Sequence, residues 1–145
     1  MKISIFGLGY VGLANTLLLA QNEHVMAYDI VSEKIEMLRN KHSPLEDQEI
    51  NEFLDRDDLS VEFTRNFKDA VKFGDYLIIA TPTDYDERKN YFNTSTVEDV
   101  IEKALVIKPD AIFIIKSTVP VGYTEKLKKK YNIENVIFSP EFLRE

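Results

Sequence analysis

The chain contains no cysteine among its 145 residues. This absence excludes disulfide bonds, zinc sites with cysteine ligands and catalysis by a thiolate of this chain. The two histidines, His24 and His42, have no acidic or histidine partner at metal-ligand spacing, so the sequence predicts no metal site. No apolar run approaches the ~18 residues that cross a bilayer, and the N-terminus lacks the cleavage site of a signal peptide. A cytoplasmic location is therefore expected.

Positive charge is also scarce, because 18 Lys and Arg stand against 25 Asp and Glu and the net charge is −7. This balance disfavours binding to nucleic acid or to an anionic membrane as a partner. It does not exclude one small phosphate-containing ligand, because the N-terminus of a helix binds an anion without a basic patch. The length of 145 residues fits one domain with a sizeable core.

Six short apolar segments rich in β-branched residues alternate with helical patterns. They lack polar alternation, as expected of strands buried on both faces of a parallel sheet. This alternation predicts an α/β fold, a doubly wound Rossmann-like parallel sheet of strand order 3-2-1-4-5-6 with helices on both faces. The predicted strands are Lys2–Phe6, Val25–Asp29, Ser60–Phe63, Tyr76–Ala80, Ala111–Lys116 and Asn135–Phe138.

Polar residues and prolines mark where the helices of this fold begin. Ser32 is predicted to cap the helix after strand two, and Ser95 with Glu98 forms a capping-box pattern before the helix after strand four. Pro120 fits the first turn of the helix after strand five. The polar segment 84–93 is predicted to be a solvated excursion between elements.

The turn Gly7-Leu8-Gly9-Tyr10-Val11-Gly12 follows the first predicted strand and opens a helix, the context of a dinucleotide-binding turn. Gly7 permits the tight turn, Gly9 lets the backbone approach a pyrophosphate, and Gly12 lets the helix pack closely on the sheet. The N–H groups of the helix that begins at Tyr10 then face the phosphates.

An acidic residue, Asp29, ends the second predicted strand near the ~20-residue spacing of this fingerprint. A carboxylate there accepts hydrogen bonds from the adenosine ribose and repels a 2′-phosphate, so the sequence predicts NAD in preference to NADP. Lys34 could reach the ribose or a phosphate, or could be an ordinary exposed lysine. On the alternative interpretation, the glycines only form a turn and Asp29 only caps a helix.

Polar loops stiffened by proline follow three later strands. They are Thr-Pro-Thr at 81–83, Ser-Thr-Val-Pro at 117–120 and Ser-Pro-Glu at 139–141. Each loop alone is compatible with simple turn chemistry. Because ligands of open α/β sheets bind outside the carboxyl ends of the strands, three such loops on one rim predict a shared ligand surface.

The last seven residues, 139–145, place charges directly after a buried strand at this rim. Glu141 and Glu145 contribute two carboxylates and Arg144 a guanidinium. Such groups are candidates for contact with a polar substrate or for proton transfer. The alternative is a frayed, highly charged terminus.

Four stretches together resemble the nucleotide-sugar dehydrogenases that make uronic acids, the UDP-glucose/GDP-mannose dehydrogenase family. Many dehydrogenases share the first stretch, whereas the last two are specific, and the form of the last favours UDP-glucose over the sugars of the mannuronate-type relatives. The stretches are Gly7-Leu-Gly-Tyr-Val-Gly-Leu13, Ala80-Thr-Pro-Thr83, Ile115-Lys-Ser-Thr-Val-Pro-Val-Gly122 and Ser139-Pro-Glu-Phe-Leu-Arg-Glu145.

The resemblance implies an activity and a set of site residues. The family oxidises the C6 alcohol of the sugar to a carboxylate in two steps, reducing two NAD, with a thioester on a cysteine. By resemblance Thr118 positions a water and Glu145 assists proton transfer or hydrolysis. The implied NAD contacts are Val11, Asp29, Lys34, Thr83, Thr118 and Glu145. The implied sugar wall is Glu141, Phe142, Leu143, Arg144 and Glu145.

The family's cysteine, its catalytic lysine and asparagine, and its uridine-binding domain lie beyond the position that matches Glu145. The resemblance therefore implies that residues 1–145 are the NAD-binding domain of a longer homodimeric enzyme, without its central helical and C-terminal UDP-binding domains. By itself the chain is expected to be monomeric, to bind NAD and to be inactive. Two alternatives stay open: the NAD-binding domain of another nucleotide-sugar or 3-hydroxyacid-type dehydrogenase, and a non-catalytic NAD-sensing module.

Overall fold

The computed structural model describes residues 1–89 and 91–141. Strands and helices alternate along these residues in the order β1, α1, β2, α2, α3, β3, α4, β4, β5, β6, α5, β7, α6, β8. The strands are β1 (Lys2–Phe6), β2 (His24–Tyr28), β3 (Val61–Thr64), β4 (Tyr76–Ile79), β5 (Asp84–Asp86), β6 (Tyr91–Asn93), β7 (Ile112–Ile115) and β8 (Val136–Phe138). The helices are α1 (Tyr10–Leu19), α2 (Ser32–Arg39), α3 (Gln48–Leu54), α4 (Phe67–Phe73), α5 (Ser95–Ile107) and α6 (Tyr123–Tyr131).

Six strands form one parallel sheet in the order β3-β2-β1-β4-β7-β8. Because β5 and β6 stand outside this sheet, its members are the six predicted strands, in the predicted order 3-2-1-4-5-6. Ile5 of the central strand β1 lies opposite Ala27 of β2 on one side and Ile78 of β4 on the other. The predicted doubly wound fold is confirmed.

Two hydrophobic clusters lie on opposite faces of the sheet. Successive residues of β1 alternate between them, so Ile5 joins one cluster and Phe6 the other. Buried residues of α1, α2 and α3 complete the Ile5 cluster, and those of α4, α5 and α6 complete the Phe6 cluster. Fully burying one such side chain contributes about 1.5–3 kcal/mol. Within the described ranges, no helix is long and apolar enough to cross a membrane.

The segment 84–93 contains more regular structure than the sequence predicts. Strands β5 and β6 pair antiparallel, with Asp84 opposite Asn93, and make a hairpin outside the six-stranded sheet. The Asp86 carboxylate accepts a hydrogen bond of 2.9 Å from the backbone N–H of Arg88 in the connecting turn. The polar composition of this segment reflects turn chemistry within a hairpin, which the sequence pattern alone does not separate from an irregular loop.

The predicted helix starts are misplaced by one or more residues. Ser32 and Ser95 are the first residues of their helices, and the caps are Val31 and Thr94, neither of which makes a side-chain cap bond. In both cases an upstream Asp or Asn side chain accepts a backbone hydrogen bond at the start of the helix instead. Pro120 lies before α6 rather than in its first turn. At α2 and α5, the side chain that accepts the backbone hydrogen bond thus lies two or three residues before the predicted serine.

Candidate dinucleotide-binding site

The glycine-rich turn packs closely against the end of β4 and against α1. Gly7 has a φ of +99°, a conformation that other residues rarely adopt, and a Cβ there would lie 2.7 Å from the carbonyl oxygen of Ala80. A Cβ on Gly12 would lie 1.7 Å from the carbonyl oxygen of Gly7. Helix α1 therefore packs against the turn at a distance that no side chain permits.

Gly9 has the opposite environment. A Cβ built on it meets no atom within 4 Å, so the backbone of the turn borders open space at this point. Gly9 is also the N-cap of α1, with no side-chain cap bond and no acidic residue in the first helical turn. The partial positive charge of the helix start is thus left for a ligand. This open cradle of backbone fits a pyrophosphate.

Asp29 joins the glycine-rich turn to the end of β2. Its Oδ2 accepts a hydrogen bond of 2.8 Å from the N–H of Leu8, and its Oδ1 accepts one of 2.9 Å from the N–H of Val31. The residue is only 7 % exposed, and Lys34 Nζ lies 3.9 Å from Oδ2. A carboxylate has about four acceptor positions, so two remain for the hydroxyls of a ribose.

Changing Asp29 to asparagine is expected to lower both stability and NAD affinity. The asparagine side chain accepts through one oxygen only, so the N–H of Leu8 or of Val31 loses its partner. An unsatisfied buried amide costs about 1–3 kcal/mol, which urea denaturation would measure. Calorimetry should show NAD affinity falling about tenfold or more, because an acceptor for the ribose is lost as well.

Asp58→Asn is the matched control for this change. The Asp58 carboxylate pairs with Arg56 at the surface, where ion pairs contribute little. This variant should therefore keep wild-type stability and NAD affinity. Wild-type values for Asp29→Asn would contradict the bridging role of the carboxylate.

A cleft of about 290 Å³ lies between the end of β2 and the start of α5. Asp29 lines it together with the apolar side chains of Ile30, Pro82 and Val100. Ile30 is 82 % exposed, so its side chain is accessible to a ligand in the cleft. Apolar walls beside the Asp29 carboxylate are of the kind that packs against a planar ring such as adenine. These walls come from three separate loops and helices, so no local sequence pattern signals them.

Tyr28 forms part of the lining of the same cleft. Its ring packs against Phe6 and Phe67 at centroid distances of 5.6 and 5.4 Å. Burial raises the pKa of the Tyr28 phenol above its usual value, and the opposing influence of the Lys103 ammonium is smaller. The phenol is therefore uncharged at neutral pH and adds no negative charge beside Asp29.

The loops after β4 and β7 are hydrogen-bonded to each other. Thr83 Oγ1 donates to the carbonyl oxygen of Thr118 at 2.6 Å, and Ser117 Oγ donates to that of Thr81 at 2.7 Å. Thr96 Oγ1, near the start of α5, donates to the carbonyl oxygen of Pro82 at 2.7 Å. The two loops thus form one connected part of the rim, with Thr83 and Thr118 in direct contact. The sequence patterns do not single out Thr96.

The loop after β8 approaches α1. Glu141 Oε1 lies 2.9 Å from Lys116 Nζ, and Glu141 Oε2 accepts a hydrogen bond of 3.1 Å from Asn15 Nδ2. Neither Asn15 nor Lys116 is among the residues expected at the site. The remaining residues of the predicted sugar wall, Phe142, Leu143, Arg144 and Glu145, lie outside the described residues. In the part of the chain that the structure describes, no group of three or more acidic or histidine side chains could hold a metal ion.

Comparison with known proteins identifies the class of this site. The UDP-glucose/GDP-mannose dehydrogenase family, NAD binding domain, matches residues 1–145. Over its whole length the chain is 46 % identical to a UDP-glucose 6-dehydrogenase of Campylobacter jejuni and 43 % identical to one of Streptococcus pneumoniae. It spans 37 % of the length of each of these relatives.

A solved structure shares the fold. The UDP-glucose dehydrogenase of the hyperthermophilic archaeon Pyrobaculum islandicum matches with a TM-score of 0.83 and 29 % identity, over 99 % of this chain and 36 % of that one. The matching family domain indicates that the dinucleotide of the site is NAD. With the glycine-rich turn, Asp29 and the cleft in the arrangement that such a cofactor needs, the chain belongs to the UDP-glucose/GDP-mannose dehydrogenase family and forms its NAD-binding domain.

Proposed function

We propose that residues 1–145 are the NAD-binding domain of a UDP-glucose 6-dehydrogenase, which oxidises UDP-glucose to UDP-glucuronate with two NAD. The observation that carries this proposal is the whole-length identity of 46 % to such an enzyme, together with an intact dinucleotide site. The thioester chemistry of this reaction needs a cysteine, which this chain does not contain. On this proposal, the nucleophile, the uridine-binding domain and the central helical domain correspond to the part of the relatives' length that this chain does not span.

The chain's own residues bind and orient the cofactor. The backbone around Gly9 and the start of α1 hold the pyrophosphate, and Asp29 accepts hydrogen bonds from the adenosine ribose. Bound NAD supplies the acceptor for the hydride that leaves C6 of the sugar. The hydrogen bond from the N–H of Leu8 and the close packing of the turn against α1 hold Asp29 and the turn in position within the fold itself.

The rim residues are proposed to act on the sugar side of the cofactor. Thr83 fixes the backbone of Thr118 through the hydrogen bond of 2.6 Å. Thr118 in turn orients a water for hydrolysis, Glu141 contacts the sugar, and Glu145 assists proton transfer. These assignments are supported by the resemblance of the stretches 115–122 and 139–145 to the family, whose NAD-binding domain matches residues 1–145.

Cofactor and substrate are tested separately. Calorimetry on the 145-residue chain should show NAD binding, with NADP at least about tenfold weaker because its 2′-phosphate would meet the Asp29 carboxylate. A longer protein that carries this chain should reduce two NAD per UDP-glucose, followed by NADH absorbance, and should turn over GDP-mannose and UDP-N-acetylmannosamine far more slowly. Preference for either of the other sugars would overturn the substrate assignment but not the cofactor assignment.

A further inference from the structure

One cluster of partly buried polar side chains connects helix α1 with the loop after β8. The Glu141 carboxylate is held from two sides, by Lys116 Nζ at 2.9 Å on Oε1 and by Asn15 Nδ2 at 3.1 Å on Oε2. Lys116 also donates to Ser139 Oγ at 3.0 Å. The contacts come from α1, from the residue after β7 and from the loop after β8, so three parts of the chain meet at one carboxylate.

The cluster occupies positions where apolar residues would be more stable. The Lys116 side chain is only 14 % exposed, and removing an ammonium from water costs more than the ion pair generally returns. Asn15 is 8 % exposed in the middle of α1, an otherwise mostly apolar helix in which asparagine is a poor helix former. Both side chains therefore cost stability relative to apolar residues. A role in holding Glu141 in place would account for their presence.

Asn15 also contacts the glycine-rich turn. Its Nδ2 donates a second hydrogen bond, of 2.8 Å, to the carbonyl oxygen of Val11. The two hydrogens of the amide are thus divided between the turn that binds the cofactor and the carboxylate of the sugar wall.

We propose that Asn15 and Lys116 are positioning residues that hold the Glu141 carboxylate toward the sugar. Asn15 also connects this carboxylate to the glycine-rich turn through its two hydrogen bonds. This inference rests on the proposed function, because Glu141 contacts the sugar only in a nucleotide-sugar dehydrogenase. Each Glu141 oxygen keeps an acceptor position after its contact with Lys116 or Asn15, and these positions can receive sugar hydroxyls. The carboxylate therefore presents its remaining acceptors in one fixed direction.

The first test is kinetic and uses the longer enzyme that carries this chain. Lys116→Met should lower kcat/KM for UDP-glucose about tenfold or more, with the KM for NAD changed less than about twofold. Lys116→Arg, which keeps a charged donor, should restore part of this loss. In an enzyme that already carries Glu141→Gln, Lys116→Met should lower kcat/KM little further. The effects of two substitutions are not additive when one residue acts through the other.

Lys128→Met is the matched control, since Lys128 pairs with Glu125 on the surface of α6. It should leave both kinetic constants unchanged. Additive losses in the Lys116 and Glu141 double variant, or equal losses in the affinities for NAD and sugar, would overturn the positioning role. An enzyme that turns over no UDP-sugar would instead contradict the proposed function.

The second test does not depend on activity and uses the 145-residue chain. The side-chain amide signal of Asn15 in a ¹H–¹⁵N spectrum should shift when NAD is added, and should also shift in Lys116→Met, because Glu141 joins the two side chains. The signal should not respond to Lys128→Met. An Asn15 signal unchanged by both NAD and Lys116→Met would overturn the proposed connection, whatever the substrate of the longer enzyme.

Discussion

Gly9→Ala is expected to lower the affinity for NAD by roughly 100-fold or more while leaving the protein folded. The added methyl group projects into the open space beside the turn, where the pyrophosphate must approach the backbone. The same open space means that the methyl group meets no protein atom, and the φ of −79° at this position suits alanine. The free energy of unfolding should therefore change by no more than about 1 kcal/mol, the cost of alanine at a helix N-cap.

Calorimetry with NAD and urea denaturation would measure the two effects on the same preparation. Gly122→Ala serves as the reverse control, because Gly122 has a φ of +82° and a methyl group there also meets open space. That change should cost about 1–2 kcal/mol of stability through backbone strain and leave NAD binding intact. Wild-type NAD affinity in Gly9→Ala would show that the cofactor does not approach this turn.

Gly12→Ala is expected to destabilise the fold by roughly 3 kcal/mol or more. The new Cβ would lie 1.7 Å from the carbonyl oxygen of Gly7 and 2.8 Å from its carbonyl carbon, both backbone atoms that cannot rotate away. Overpacking of this kind forces backbone shifts that cost about 1–3 kcal/mol, and more where the neighbour is rigid. The intrinsic helix preference of alanine over glycine, about 1 kcal/mol, offsets only part of this cost.

The loss would appear as a lower midpoint of urea denaturation, and NAD binding should fall with it because α1 and the turn move apart. Leu18→Ala on the exposed face of the same helix is the control, since Leu18 is 62 % exposed and a surface change of this kind is usually small. A wild-type midpoint for Gly12→Ala would mean that the helix can separate from the turn without cost. The two variants thus distinguish glycine required for ligand approach, at Gly9, from glycine required for helix packing, at Gly12.

The sequence predicts the parts of this fold that depend on local patterns. The six strands and the glycine-rich turn follow from apolar runs and from Gly7, Gly9 and Gly12, because each of these signals lies within one short segment. The strand order then follows from the rules of the doubly wound fold that these elements indicate. The sequence predicts the helix caps at Ser32 and Ser95 incorrectly, since an Asp or Asn side chain upstream makes the hydrogen bond instead. Propensity does not show which of two neighbouring polar side chains makes the bond.

Contacts between distant segments are the features that the sequence does not predict. Asn15 and Glu141 are 126 positions apart, and an asparagine inside an apolar helix gives no indication of its partner. The cleft walls at Ile30, Pro82 and Val100 likewise come together only in the complete fold, because they lie far apart in the sequence. Such features need the tertiary fold, because each residue taken alone has an ordinary local environment.

The double hydrogen bond of Asp29 also affects how the cofactor associates. Its two oxygens are held by the amides of Leu8 and Val31, which restricts the rotamers open to the side chain. A side chain ordered by the fold has less conformational entropy to lose when a ligand binds. The hydrogen bonds that Asp29 makes to the protein therefore lower the entropic cost of binding a ribose.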